Sequence, residues 1–236
     1  MRALIGGTGL NDLPGWSCES RMLDTPFGAA EVRRGQWQGQ EWLFLPRHGA
    51  GHRLPPHRIN YRANIAALKE AGATQVIAVA AVGGIRSDLG PAVLALPHDI
   101  IDYTWGRAHS FCDGDSDAVL HVEFAPPYDT ALRQQLLQAA AKAGVDLVGD
   151  AVHGVTQGPR LESAAEIEKL RRDGCDIVGM TGMPEAALAR EAGLPYACLA
   201  VVVNWAAGIG SGAIHAEIEQ SIHQGMDRLR RVLQAL

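Results

Sequence analysis

YACLAVVV, residues 196–203, carries no charge and, after its leading tyrosine, no hydroxyl or amide side chain. A strand with one wet face alternates apolar and polar side chains, whereas a strand covered on both faces need not. The run therefore predicts a central strand with a layer of structure on either side, the plan of an α/β domain. Beyond it, Ile214, Ile218, Ile222, Met226, Leu229 and Val232 recur every three or four residues, which is a helix with one apolar stripe.

Working back from this strand, short aliphatic runs alternate with amphipathic ones. Strands are read at Arg2–Ile5, Gln75–Ala81, Val93–Ala95, Asp99–Tyr103, Ala151–Thr156 and Asp176–Val178, and Ala29–Arg34 with Glu41–Leu45 reads as an antiparallel hairpin. Helices are read at Arg58–Ala71, stopped by Gly72, and at Thr130–Ala143, capped by Asp129; others are read at Glu162–Arg172 and near Glu185–Glu191. The polar stretch Gly106–Ser116 reads as a mobile loop. The fold class is α/β, a mixed central β-sheet flanked by helices, and residues 1–236 are read as a single domain.

Composition narrows the function. The formal net charge is −5, with Lys and Arg scattered, so no basic face is available for a nucleic-acid backbone. No stretch approaches the roughly 20 apolar residues of a membrane span, and the opening MRALIGG is too short for a signal peptide. A cytoplasmic protein acting on small molecules is expected. The cysteines Cys18, Cys112, Cys175 and Cys198 are widely spaced, and no histidine pair has metal-ligand spacing. Neither a metal nor a cofactor is expected.

Turns rich in Gly or polar residues follow several strands: Gly6-Gly7-Thr8-Gly9, Pro46-Arg47-His48-Gly49, Ala81-Val82-Gly83-Gly84 and Met180-Thr181-Gly182. The carboxyl ends of strands in an α/β sheet converge on a crevice, so these turns point to one composite anion site. A dinucleotide fingerprint would need Gly where Asp12 stands. The first turn instead offers unobstructed N–H groups and the Thr8 hydroxyl, suited to a phosphate-sized anion; read alone it is equally an ordinary tight turn. Arg47 brings a fork for two oxygens, and His48 a donor for a third.

The runs PRHGAGHRLPPHRINYRANIAALKEAGATQVIAVAAVGGIR, TQGPRLESAAEIEKL and CDIVGMTGMPEAALAREAGLPYACLAVVVNWAAG resemble the trimeric purine nucleoside phosphorylase family, closest to its methylthioadenosine and methylthioinosine branch. The resemblance runs from Ile5 to about Ala207. It implies a phosphate site of Thr8, Arg47, His48, the Ala81 backbone and Thr181, with inorganic phosphate as co-substrate; Ala80 stands where the family often has a hydroxyl. It implies a nucleoside site with Met180 against the ribose, alongside Val178 and Gly83, Leu161 against the base in place of a common Phe, and His121 reaching the 5′ end. Met180 read alone is also a core filler, and a lone histidine such as His121 is more often structural. His215 falls in the segment of the family's 5′-end residues, but Gly208–Gly212 is shortened and the match is not fixed. The family implies a homotrimer in which a neighbour's loop, here around His52–His57, closes the site.

Asn204-Trp205-Ala206 departs from adenosine-type members, which carry Asp at the first and third positions. A carboxylate against a 6-oxo group sets acceptor against acceptor, at a cost of roughly 1–3 kcal/mol, whereas an Asn amide donates to O6 and accepts from N7–H. The pair Asn204 and Ala206 therefore points to a 6-oxopurine. Asn204 as a turn former ending a strand is the alternative. Glu162 has two readings: an acceptor for N1–H of the base, and a carboxylate at a helix N-terminus. The implied reaction is phosphorolysis of a 6-oxopurine nucleoside, with S-methyl-5′-thioinosine first, inosine or guanosine second and methylthioadenosine as a further alternative. Asn204, His48 and Arg47 carry the chemistry. A hydrolytic nucleosidase and a silent nucleoside-binding protein are the rival readings.

Overall fold

The computed structural model describes residues 1–10, 15–114, 119–210, 212 and 214–236, without the side chain of His215. Asp12, the end of the Gly106–Ser116 stretch, part of Gly208–Gly212 and any contact of His215 thus lie outside the described residues.

The strands are β1 (Arg2–Gly6), β2 (Ser17–Thr25), β3 (Gly28–Trp37), β4 (Gln40–Pro46), β5 (Gln75–Gly84), β6 (Leu94–Ala95), β7 (Asp99–Asp102), β8 (Leu147–Val148), β9 (Val152–Val155), β10 (Ile177–Gly179) and β11 (Tyr196–Trp205). The helices are α1 (Tyr61–Glu70), α2 (Thr130–Ala143), α3 (Ala164–Arg172), α4 (Gly182–Glu191) and α5 (Ile214–Gln234). One mixed sheet runs β2-β3-β4-β1-β5-β10-β9-β7, with β11 pairing both β5 and β6, and β6 pairing β8. The long β5 is its hub. Its first half lies parallel to β1, its last residues run antiparallel to β10, and β11 lies parallel along nearly its whole length.

The expectation for 196–203 is met on both faces. Cys198, Ala200 and Val202 pack into the core under α1 and α4, and Ala197, Leu199, Val201 and Val203 into the core under α2 and α5. Removing a side chain of this size from water contributes on the order of 1.5–3 kcal/mol, and from Ala197 to Val203 every side chain is buried and apolar.

Elsewhere local chemistry moves the boundaries. The first helix starts at Tyr61, not Arg58, because the Asn60 side chain caps the Ala63 N–H and Pro56–Arg58 forms a separate 3-10 turn. α3 starts at Ala164, not Glu162, because Ser163 and Glu166 form a reciprocal capping box. The expected turn at Ala81–Gly84 is the end of β5: Gly83 and Gly84 are held between Val178 and Ile177 on one side and Asn204 and Trp205 on the other. A Cβ at Gly84 would stand 1.8 Å from the Leu89 carbonyl oxygen, so the glycine serves close packing. β2 is unforeseen, since nearly all its residues are exposed and only pairing with β3 defines it. The described part of the polar stretch from Gly106 is pinned, not loose. Arg107 donates to the carbonyls of Met180, Met183 and Gln157, and the Phe111 N–H to Glu191.

Candidate active site

The carboxyl ends of β1, β4, β5, β10 and β11 meet around a cavity enclosing about 880 Å³ of empty space, part of it open to solvent. Its lining includes Thr8, Arg47, His48, Ala81, Gly83, Leu161, Glu162, Val178, Met180, Thr181, Asn204 and Ala206. The turns expected to converge do so.

At one end the β1 turn closes with the Leu10 N–H donating to the Gly7 carbonyl, and Gly9 sits at φ +85. A Cβ on Gly7 would meet the Val79 carbonyl oxygen at 2.6 Å and Arg47 Nη1 at 2.9 Å, so the backbone can approach the guanidinium only as glycine. Arg47 is 2% exposed. Its Nε and Nη2 donate to Glu185 at 2.7 Å each, and Nη1 to the Val79 carbonyl at 2.7 Å. Burial opposes the guanidinium charge, but attraction and hydrogen bonds from Glu185 outweigh it and hold the pKa above its ordinary value. Thr181 stands at the N-cap of α4 without a side-chain cap bond, which leaves its hydroxyl for the cavity.

His48 differs from the sequence expectation. Burial, opposed by its hydrogen bond to Leu54 and aided by the Arg47 charge, pushes its pKa down to about 4. Its Nδ1 lies 2.7 Å from the Leu54 carbonyl oxygen, which can only accept. The neutral ring therefore keeps its proton on Nδ1, and Nε2 is an acceptor. Instead of donating to a phosphate oxygen, His48 is suited to accept from a phosphate hydroxyl. Its ring packs on His52 with centroids 4.2 Å apart, and His52 Nε2 lies 3.4 Å from Thr8 Oγ1. Pro56 lines the cavity too, so part of the segment His52–His57 serves the cavity of its own chain.

At the other end stand Asn204, Ala206, Val178, Gly83, Leu161 and Glu162. Asn204 reaches the lining through a bulge: β11 slips register against β5 between Val202 and Asn204, so consecutive residues Val203 and Asn204 both face the cavity. The Asn204 Nδ2 donates to the Trp205 carbonyl at 2.6 Å, which leaves Oδ1 and a second N–H for a ligand. Glu162 precedes the N-cap of α3, so the helix-terminus reading falls to Glu166; Glu162 Oε1 accepts from the Thr156 hydroxyl. Glu162 is the one carboxylate among the described lining residues. Met180 borders the cavity half-buried, its sulfur packed on Gly158, and is not core filler.

Two features escaped sequence reading. Ile214 and Ile218 bring α5 to the lining, and α5 docks on the Gly9 turn through Ile222 and Met226 and on β11 through Glu217, which accepts from the Trp205 N–H. The other is Glu185, fully buried behind Arg47; a lone carboxylate inside MPEAALA was its signal. His121 is exposed and absent from the lining. Among the described residues no group of His, Cys, Asp and Glu is arranged to hold a metal, and no helix is long and apolar enough to cross a membrane.

Residues 2–236 match the family model described as "Phosphorylase superfamily". A protein of Pseudomonas syringae pv. tomato named "Probable S-methyl-5'-thioinosine phosphorylase" is 53% identical over 98% of this chain and 96% of its own. The "6-oxopurine nucleoside phosphorylase" of Pyrococcus furiosus is 38% identical over 99% of this chain and 90% of its own. The solved structure of methylthioadenosine phosphorylase from Schistosoma mansoni in complex with adenine superposes with a TM-score of 0.91 at 32% identity, covering 99% of this chain and 89% of the other. With the family match spanning residues 2–236 and the sheet superposing on a solved member, the chain belongs to the phosphorylase superfamily.

Proposed function

We propose that the protein is a single-domain pentosyltransferase that cleaves S-methyl-5′-thioinosine with inorganic phosphate, giving hypoxanthine and 5-methylthioribose 1-phosphate. The observation that carries this reading is one cavity with an anion end of Gly7, Thr8, Arg47, His48 and Thr181, and a base end with Asn204 and Ala206 where an adenine site would want carboxylates. The names of relatives at 53% and 38% identity agree with a 6-oxopurine substrate.

Cleavage builds positive charge on the sugar and negative charge on the leaving purine. Phosphate held by Arg47, Thr8, Thr181 and the Ala81 backbone attacks C1′ as the bond to N9 breaks. The electron pair goes to the purine, which takes a proton from solvent at N7, while the hydrogen phosphate gives up its own proton to solvent as it becomes the sugar 1-phosphate. Asn204 Oδ1 accepts from that N7–H and its free N–H donates to O6, and Glu162 accepts from N1–H. Met180, Val178, Gly83 and Leu161 cover sugar and base. No cofactor or metal takes part.

The 5′ end decides between methylthio and hydroxyl substrates. Ile214 and Ile218 line the cavity from α5, which bridges the anion turn and the base strand, and apolar side chains there favour a methylthio group over a hydroxyl, which needs a polar partner. Inosine and guanosine form the second reading, supported by the 6-oxopurine relatives. A homotrimer, in which the rest of the His52–His57 segment closes a neighbour's cavity, completes the proposal in a cytoplasmic setting, and light scattering tests the assembly. The function is tested by initial rates at saturating phosphate with methylthioinosine, methylthioadenosine, inosine, guanosine and adenosine. Methylthioinosine is expected to give the highest kcat/KM, and a preference for methylthioadenosine would overturn the reading of Asn204.

A further inference from the structure

Behind the anion end, on the face of the sheet under α1 and α4, a polar cluster interrupts an apolar core. Glu185 is 0% exposed. Its two oxygens accept from Arg47 Nε and Nη2, and Oε1 also accepts from the Tyr196 hydroxyl at 2.8 Å. Tyr196 stacks on Tyr128 with centroids 6.1 Å apart, and the Tyr128 hydroxyl meets His153 Nδ1 at 3.2 Å. The reaction described above leaves Glu185 without a task.

A buried ion pair is an inefficient way to stabilise a core, because desolvating both charges offsets most of their attraction and apolar residues of equal volume serve as well. The pair has a use through the other edge of the guanidinium. Of its five N–H donors, Glu185 and the Val79 carbonyl hold three. One hydrogen on each Nη remains for the cavity that Arg47 lines. An arginine on a free side chain sweeps a wide arc; here the bidentate carboxylate fixes its plane. The missing Cβ of Gly7, which would come within 2.9 Å of Nη1, leaves room for that plane.

We propose that Glu185, braced by Tyr196, is a positioning residue for phosphate: it holds the Arg47 guanidinium in the plane from which its remaining N–H groups meet the anion. This rests on the phosphorylase reading. It differs both from a structural role, which affects both substrates alike, and from charge cancellation, whose removal tightens phosphate binding.

The test compares KM for phosphate with KM for methylthioinosine in the unmodified protein, Glu185→Gln and Tyr196→Phe, with melting curves to establish folding. Glu185→Gln is expected to raise the phosphate KM by about tenfold or more, and Tyr196→Phe by about threefold to tenfold, with the nucleoside KM within about twofold. A folded variant whose phosphate KM is unchanged, falls, or rises no more than the nucleoside KM overturns the proposal. Should Glu185→Gln not fold, Tyr196→Phe decides by the same criterion. If the unmodified protein releases base without phosphate, the phosphorylase reading fails first. Thermal stabilisation by inorganic phosphate alone, present in the unmodified protein, then judges Glu185: weakened in the variants it stands, unchanged it falls.

Discussion

Asn204→Asp exchanges an NH2 for an oxygen with almost no change in volume, so its consequences are electrostatic. Asn204 is 6% exposed and donates to the Trp205 carbonyl at 2.6 Å. A carboxylate there faces that carbonyl as a second acceptor, and with a 6-oxopurine bound it faces O6 as well. Each such mismatch costs roughly 1–3 kcal/mol. The conflict with Trp205 exists whatever is bound and registers as a lower melting temperature. The conflict with O6 exists only for 6-oxopurines and registers in kcat/KM, where 1–3 kcal/mol corresponds to a loss of about 5- to 150-fold. A 6-amino group reverses the sign, because it donates to the carboxylate. The ratio of kcat/KM for methylthioinosine to that for methylthioadenosine, taken at saturating phosphate, is therefore expected to fall by about tenfold or more. A folded variant in which this ratio is unchanged refutes the role given to the amide.

Gly7→Ala drives a methyl group to 2.6 Å from the Val79 carbonyl oxygen and 2.9 Å from Arg47 Nη1; overpacking of about 1–3 kcal/mol is expected to lower the melting temperature and raise the phosphate KM, both read in one set of melts and saturation curves. Ile218→Ser adds a hydroxyl to the lining and is expected to lower kcat/KM for methylthioinosine relative to inosine by about tenfold, measured as a ratio in mixed-substrate assays. His48 and His153 each have a pKa of about 4, chiefly through burial, so the unfolded chain binds more protons than the folded one between the ordinary value of 6.5 and 4. Stability is then fully present above pH 6.5 and lost as pH falls toward 4, with His52, also lowered by burial, adding to the loss, and urea melts are expected to show proton uptake on unfolding in that window. A flat profile there contradicts the neutral state of both rings.

The layered sheet was legible because 196–203 is apolar on both faces and its flanks switch to helical period. β2 was not, since a ribbon exposed on both sides carries no hydrophobic alternation and only its pairing with β3 defines it. Gly83 and Gly84 read as a turn because Gly is ambiguous between left-handed backbone and close packing, and only the neighbours Leu89 and Val178 decide for packing. Within the site, residues in motifs after strands were legible: Thr8, Arg47, His48, Thr181 and Asn204 all reach one cavity. The tautomer of His48 was not, because it depends on the carbonyl of Leu54, which loop closure brings to it. Glu185 also went unread, as its partner Arg47 lies far away in sequence and only the α4 packing brings them together. Nor could local sequence fix the start of α3, where the Ser163 box competes with Glu162 for the role.

Phosphorolysis is tested most directly by following methylthioinosine cleavage by phosphorus NMR beside hypoxanthine absorbance, with and without inorganic phosphate. Each hypoxanthine released is expected to be matched by one sugar 1-phosphate, and release is expected to stop when phosphate is withheld. Hypoxanthine appearing at the same rate without phosphate, together with free methylthioribose, would contradict phosphorolysis.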